Sequence, residues 1–140
     1  MVDELFLLDT NAVSEPMRPT PNPAFLARFQ QHSHQIMTAA PVLHELLFGC
    51  RRLPPSRRRS TIERYIKEVV VAAMRILPYD SAAADWHARE RARLAAIGQT
   101  PPFVDGQIAA IAVTNGLTLV TANVADFRAF AELIVVDWSS

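Results

Sequence analysis

Five short apolar runs recur along the chain, each followed by a polar or helical stretch. They are LFLL at 5–8, QIMTAAPVL at 35–43, RILPYD at 75–80, LTLVTAN at 117–123 and LIVVDW at 133–138. Runs that are apolar at consecutive positions, rather than at alternate ones, suit strands buried on both faces. Strands of that kind joined through helices make a parallel or mostly parallel sheet, so the chain is expected to be α/β.

The intervening segments carry helix signals. In PTPNPAFLARFQQH, Pro23 suits a first turn, and Phe25, Leu26 and Phe29 share a face. HELLFGCRRL is expected to be helical until Pro54 and Pro55 stop it, with Glu45 in its first turn. STIERYIKEVVVAAM opens with Ser60 and Glu63 at the spacing of a capping box, followed by Ile62, Ile66, Val69 and Ala73 on one stripe. SAAADWHARERARLAAIG ends at a glycine cap, Gly98, and a further helix is expected from about Val104–Asp105 to Gly116. ADFRAF reads as a short helical turn. With 140 residues and no repeat, low-complexity segment or linker, one domain spanning 1–140 is expected.

Composition narrows the classes. No apolar run is long enough to span a membrane, and the acidic start MVDELF lacks the basic flank of a secretory signal. A single cysteine, Cys50, excludes an internal disulfide framework and a cysteine-based zinc site, and a reducing cytoplasm is the expected setting. Net charge is zero, yet Lys67 is the only lysine, and five arginines fall within RRLPPSRRR at 51–59. Arg57, Arg58 and Arg59, and more weakly Arg18, are candidates for contacts to a nucleic-acid backbone, because guanidinium suits bidentate phosphate binding. The plainer reading of that run is a solvated edge.

Open parallel sheets bind ligands beyond the carboxyl ends of their strands, where the strand order reverses. The polar residues at those ends are Asp9 after the first run, Glu45 after the second, Asp105 at the start of the DGQIAAIA helix, and Asn123 and Asp126 after LTLVT. Taken singly, each has a plain explanation as a turn residue or a helix-start acid favoured by the dipole. Taken together, they make a cluster. Two carboxylates about 4 Å apart repel by roughly 4 kcal/mol at an effective dielectric near 20, so the group calls for a cation or shared protons. All-oxygen ligation without cysteine or paired histidines points to Mg²⁺ or Mn²⁺, and so to phosphoryl chemistry with an activated water.

The segments LLDTNAVSE, HELLFG, VDGQIAAIA and TANVADF, in this order, resemble a PIN-domain ribonuclease, and more narrowly the VapC/FitB-type toxins of bacterial toxin–antitoxin pairs. DTNAVSEPMRP and DGQIAAIA carry most of the resemblance. It implies a three-layer α/β/α sandwich and a Mg²⁺- or Mn²⁺-dependent endoribonuclease. It assigns Asp9 and Asp105 as the principal metal-binding aspartates and Glu45 as the third acid. Asn123 or Asp126 would stand at the fourth position, and Thr10, Asn11 and Ser14 would brace the end of the first strand. It also implies a VapB-like antitoxin, a homodimer within the toxin–antitoxin assembly, and promoter DNA reached only through the antitoxin. The chain departs from many relatives at Ala122, where they carry an arginine.

Other readings compete with this one. A haloacid-dehalogenase-like phosphatase would need a second acid where Asn11 stands. A dinucleotide site would need a glycine-rich turn after the first strand. HELLF lacks the second histidine of a zinc-protease helix, so His44 reads as a packed or solvated neighbour of Glu45. A PIN-fold module acting by binding alone would show a neutral residue at Asp9 or Asp105. Trp86, Phe127 and Trp138 are expected in the core, since no aromatic ladder accompanies the arginines, and Cys50 is expected to be a buried thiol.

Overall fold

The computed structural model describes residues 4–140, so most of the acidic start weighed above as a leader lies outside the described residues. Five strands form one sheet in the order β3-β2-β1-β4-β5, and every neighbouring pair is parallel. They are β1 (Phe6–Leu8), β2 (Ile36–Ala39), β3 (Arg75–Leu77), β4 (Thr118–Val120) and β5 (Val135–Val136). All three residues of β1 and of β4 are buried, so these strands are covered on both faces. The expected α/β sandwich with a parallel sheet is what forms.

The helices are α1 (Thr10–Ser14), α2 (Pro23–Gln31), α3 (Ala40–Arg51), α4 (Arg57–Tyr65), α5 (Ser81–Ala96), α6 (Phe103–Thr114) and α7 (Val124–Phe127). A 3₁₀ turn, Glu15–Met17, follows α1. The order runs outward from β1 to β2 and β3 on one side, and continues through β4 to β5 on the other. Its reversal therefore lies between β1 and β4, where Asp9 and Thr121 emerge side by side. Asp9 N–H still donates to Val120 O at 3.2 Å, which ties the two strand ends together.

Several boundaries differ from those expected. β2 stops at Ala39 and α3 begins at Ala40 with Pro41 in its first turn, so Glu45 sits one turn deeper than the first turn assigned to it. The Ser60–Glu63 capping box does not form. Ser56 caps α4 instead, its hydroxyl accepting from Arg59 N–H at 3.1 Å, and Glu63 is taken by Arg59 at 2.9 Å. A π-helical segment, Ile66–Val71, then slows the winding of the chain. Ile66 and Val70 on it are buried, whereas Ala73 of the expected stripe is exposed. A short helix directly after β1 was not expected, and α6 starts at Phe103.

The core gathers both faces of the sheet with Trp86, Phe127 and Trp138, as expected, and Cys50 is buried. One close approach fixes α5 against α6. A Cβ built on Gly106 would stand 2.2 Å from Nε2 of His87, so only glycine lets the helices meet there. His87 is buried and bonded through Nδ1 to the Tyr79 hydroxyl at 2.8 Å. That contact seats the first turn of α6, and with it Asp105.

Candidate active site

The carboxyl rim of the sheet opens into a cleft of about 330 Å³ lined by Asp9, Thr10, Asn11, Glu45, Asp105, Asn123 and Asp126, with Val104, Ile108 and Phe127 as its apolar walls. Each acid arrives on a different element. Asp9 ends β1 and caps α1, with its Oδ1 accepting from Ala12 N–H at 2.8 Å. Glu45 comes from α3 and Asp105 from the first turn of α6. Asn123 is the residue before α7 and Asp126 lies within α7. Residues more than a hundred positions apart in sequence thus meet at the switch point of the sheet.

The electrostatics of the cleft are one-sided. Asp9 is buried, at 5% exposure, and that burial pushes its carboxyl above the usual range, while hydrogen bonds from Thr121 and the Ala12 amide pull partly the other way. Asp105 is also held above the usual range, first by burial and then by the negative charges of Asp126 and Asp9. Among the described residues, the ion pairs engage Glu15, Glu63, Asp85 and Glu90 and none of the cleft acids. No arginine or lysine lines the cleft.

Such a surplus of carboxylate suits a hard cation bound through oxygen. Among the described residues, no three acidic, histidine or cysteine side chains converge tightly enough to cage an ion. An open rim of separated carboxylates fits Mg²⁺ or Mn²⁺, which keep several waters and take only one or two protein ligands each. The donor set therefore suits such an ion in chemistry, with Asp9 buried, Glu45 and Asp105 half-buried and Asp126 exposed.

The structure distinguishes the supporting residues. Thr10 and Asn11 line the cleft, whereas Ser14 does not. The Ser14 hydroxyl donates to Thr10 O at 2.8 Å, so it steadies α1 rather than the strand end. Asn123 and Asp126 both reach the cleft, and of the two it is Asp126 whose charge acts on Asp105. Arg57, Arg58 and Arg59 stand at the start of α4 and do not line the cleft. Arg59 is committed to Leu53 O at 3.0 Å and to Glu63. Arg18 pairs with Glu15 at 3.2 Å.

One residue escaped the sequence reading. Thr121 is buried at 1% exposure, its hydroxyl accepts from Asn123 N–H at 3.0 Å, and its side chain acts to lower the raised Asp9 carboxyl. It links the ends of β1 and β4 directly under the cleft. Its signal in the sequence is the polar residue of TAN at the end of the strand paired with β1.

Comparison with known proteins agrees with this arrangement. The family model described as "PIN domain" matches residues 6–133. The chain is 31% identical to the VapC ribonuclease Y4jK of Sinorhizobium fredii over 96% of this chain and 98% of that protein. It is also 31% identical to the tRNA(fMet)-specific endonuclease VapC of Shigella flexneri, again over 96% and 98%. Among solved structures, FitAcB from Neisseria gonorrhoeae superposes with a TM-score of 0.87 at 29% identity, covering 96% of this chain and 98% of that one. DNA-bound VapBC from Salmonella typhimurium does so with a TM-score of 0.83 at 25% identity, covering 97% and 99%. The chain belongs to the PIN-domain family, among its VapC- and FitB-type members.

Proposed function

We propose that this protein is a metal-dependent endoribonuclease and the toxin of a toxin–antitoxin pair. The observation that carries the reading is the uncompensated group of Asp9, Glu45, Asp105 and Asp126 in one cleft at the switch point of a PIN-domain sheet. The ribonuclease and endonuclease names of relatives matched along nearly their whole length support RNA as the substrate class.

In this reading Asp9 and Asp105 would hold Mg²⁺ or Mn²⁺, with Glu45 and Asp126 as the flanking donors and Asn123 as a polar neighbour. When bound, the ion supplies charge neutralisation at the scissile phosphate and activates a water. The chain's own contribution is placement. Capping of α1 fixes the Asp9 carboxylate, and the Asp9 N–H bond to Val120 O ties its backbone to β4. The close approach at Gly106 sets Asp105 opposite. Water oxygen would attack phosphorus as the bond to the leaving oxygen breaks; the attacking water gives up one proton to solvent and the leaving oxygen takes one up. No side chain of the cleft is an obvious nucleophile, so no covalent intermediate is invoked.

A VapB-like antitoxin is the proposed partner, supported by structural neighbours solved as FitAcB and VapBC complexes. A cleft with this much negative charge gives a basic antitoxin side chain a place to take the ion's part. A homodimer within that complex, and DNA met through the antitoxin, complete the proposal. No described helix is long and apolar enough to cross a membrane. A cytoplasmic setting is proposed because the RNA substrate is found there.

The test is cleavage of a mixed RNA pool by the antitoxin-free protein in Mg²⁺ or Mn²⁺, repeated in EDTA. Cuts that require the ion support the proposal. A folded protein that binds metal yet cuts nothing would instead favour a module acting by binding alone.

A further inference from the structure

We propose that a second pocket beside the acidic cleft is a nucleobase subsite, which receives the base of a single-stranded RNA next to the scissile phosphate. This rests on the ribonuclease reading above. The pocket measures about 310 Å³ and is lined by Ala40, Pro41, His44, Tyr79, Val104 and Gln107. Val104 lines both it and the acidic cleft, so one side chain forms the ridge between them.

The same two helices serve both sites with neighbouring residues. On α3, Glu45 faces the acidic cleft and His44 the second pocket. On α6, Asp105 faces the cleft and Gln107 the pocket. A phosphate held among the acids would therefore bring an adjacent nucleotide to the mouth of the pocket.

The lining suits a base better than a phosphate. No arginine or lysine lines it. It offers a ring at His44, a second ring at Tyr79, an amide at Gln107 that both donates and accepts, and apolar contact from Ala40, Pro41 and Val104. Tyr79 is held in place, and the exposed His44 ring lies beside an aromatic neighbour. Tyr79 is anchored through its hydroxyl to His87 Nδ1 at 2.8 Å. His44 lies nearly parallel to Phe48, with an interplanar angle of 15° and ring centroids 6.2 Å apart, and Arg52 covers the Phe48 ring at 5.3 Å.

Phe48 is 55% exposed, so His44 and Phe48 of α3 and Arg52 at its C-cap form a short solvent-facing stack at four-residue spacing, leading away from the pocket. This is the aromatic and cationic ladder not expected from the sequence. It forms with an arginine outside the RRR triplet. Unstacked bases bind such surfaces through their faces and are selected through their edges, here by Gln107.

The experiment is to map every cut in a mixed RNA pool with Mg²⁺ for the wild type, His44→Ala and Gln107→Ala, each checked for an unchanged melting temperature. The quantity read is the ratio of cutting among sites that differ only in the base flanking the cut. The wild type is expected to favour one base at one flanking position. Each variant should flatten that preference on the order of tenfold, the size of losing one stacked or hydrogen-bonded base. Wild-type cutting without such a preference overturns the subsite, as does a preference that survives in both variants, and in either case the nuclease stands. A wild type that cuts nothing removes the nuclease reading, and the subsite with it.

Discussion

Two buried acids show how differently this fold treats negative charge. Glu90 on α5, at 8% exposure, is held by both arms of Arg93 at 2.8 Å and by Ala131 N–H at 2.7 Å. The Arg93 hydrogen bonds keep its carboxyl below the usual range. Asp9, at 5% exposure, has only neutral hydrogen-bond partners, and burial lifts its carboxyl above that range, with Asp105 beside it raised in the same direction. The chain thus supplies an arginine to the acid that only has to pack. It supplies none to the acids at the sheet rim. What separates the two carboxylates is that Glu90 has a counter-charge, whereas Asp9 is buried without one.

The largest effect that would break this contrast concerns Asp9. Asp9→Asn keeps an oxygen to accept from Ala12 N–H, so the fold should survive. RNA cleavage should nevertheless fall on the order of a hundredfold or more, since preorganised charge at the reacting centre is lost. A variant that melts normally and cuts at the wild-type rate would remove Asp9 from the chemistry.

Next comes the seat of Asp105. Gly106→Ala drives a methyl into His87, and overpacking of this kind costs about 1–3 kcal/mol. Denaturant melts should show that loss, and pairing the change with His87→Ala should recover part of it. If Gly106→Ala is silent, α6 is not held where we describe it.

Smaller effects follow in the pH dependence of stability, and their signs are opposite. Glu90 has a lowered folded-state value, so its contribution is full above the ordinary glutamate value of about 4.3 and is lost as pH falls through the lowered one. Glu90→Gln should therefore lower the melting temperature at neutral pH and matter less in acid. Asp105 has a raised value, so the folded state binds its proton more tightly than the unfolded chain. Its cost is complete above the raised value and relieved as pH falls through that value toward the ordinary aspartate value of about 3.9. Asp105→Asn should accordingly raise the melting temperature of the metal-free protein at neutral pH, with the gain shrinking on acidification. Thermal scans across that range decide both, and curves of the same sign would undo the distinction drawn here.

Much of this was legible in the sequence, for physical reasons. Consecutive apolar positions such as those of β1 and β4 mark doubly covered strands, and the rule that ligands gather at the carboxyl ends then selects Asp9, Glu45, Asp105, Asn123 and Asp126 without any coordinates. The cleft does gather all five. What escaped depended on competition or on three-dimensional pairing. Ser60 and Glu63 had the spacing of a cap, but Ser56 offered an earlier one and Arg59 claimed Glu63. The π-helical segment after Tyr65 has no signature in periodicity, because it changes the period itself. Thr121 acquires its role only because β4 lies beside β1, and the strand order cannot be read along one chain. The arginine triplet is dense, yet the guanidinium groups that cover aromatic rings are Arg52 over Phe48 and Arg91 over Phe103, both outside it.

The central claim is that the unpaired carboxylates exist to hold a cation. Calorimetric titration of the antitoxin-free protein with Mn²⁺ tests it most directly, with wild type beside the Asp9→Asn/Asp105→Asn double variant. The account predicts saturable binding by the wild type and its loss in a double variant that remains folded. Equal binding by both proteins, or none by the wild type, would contradict it.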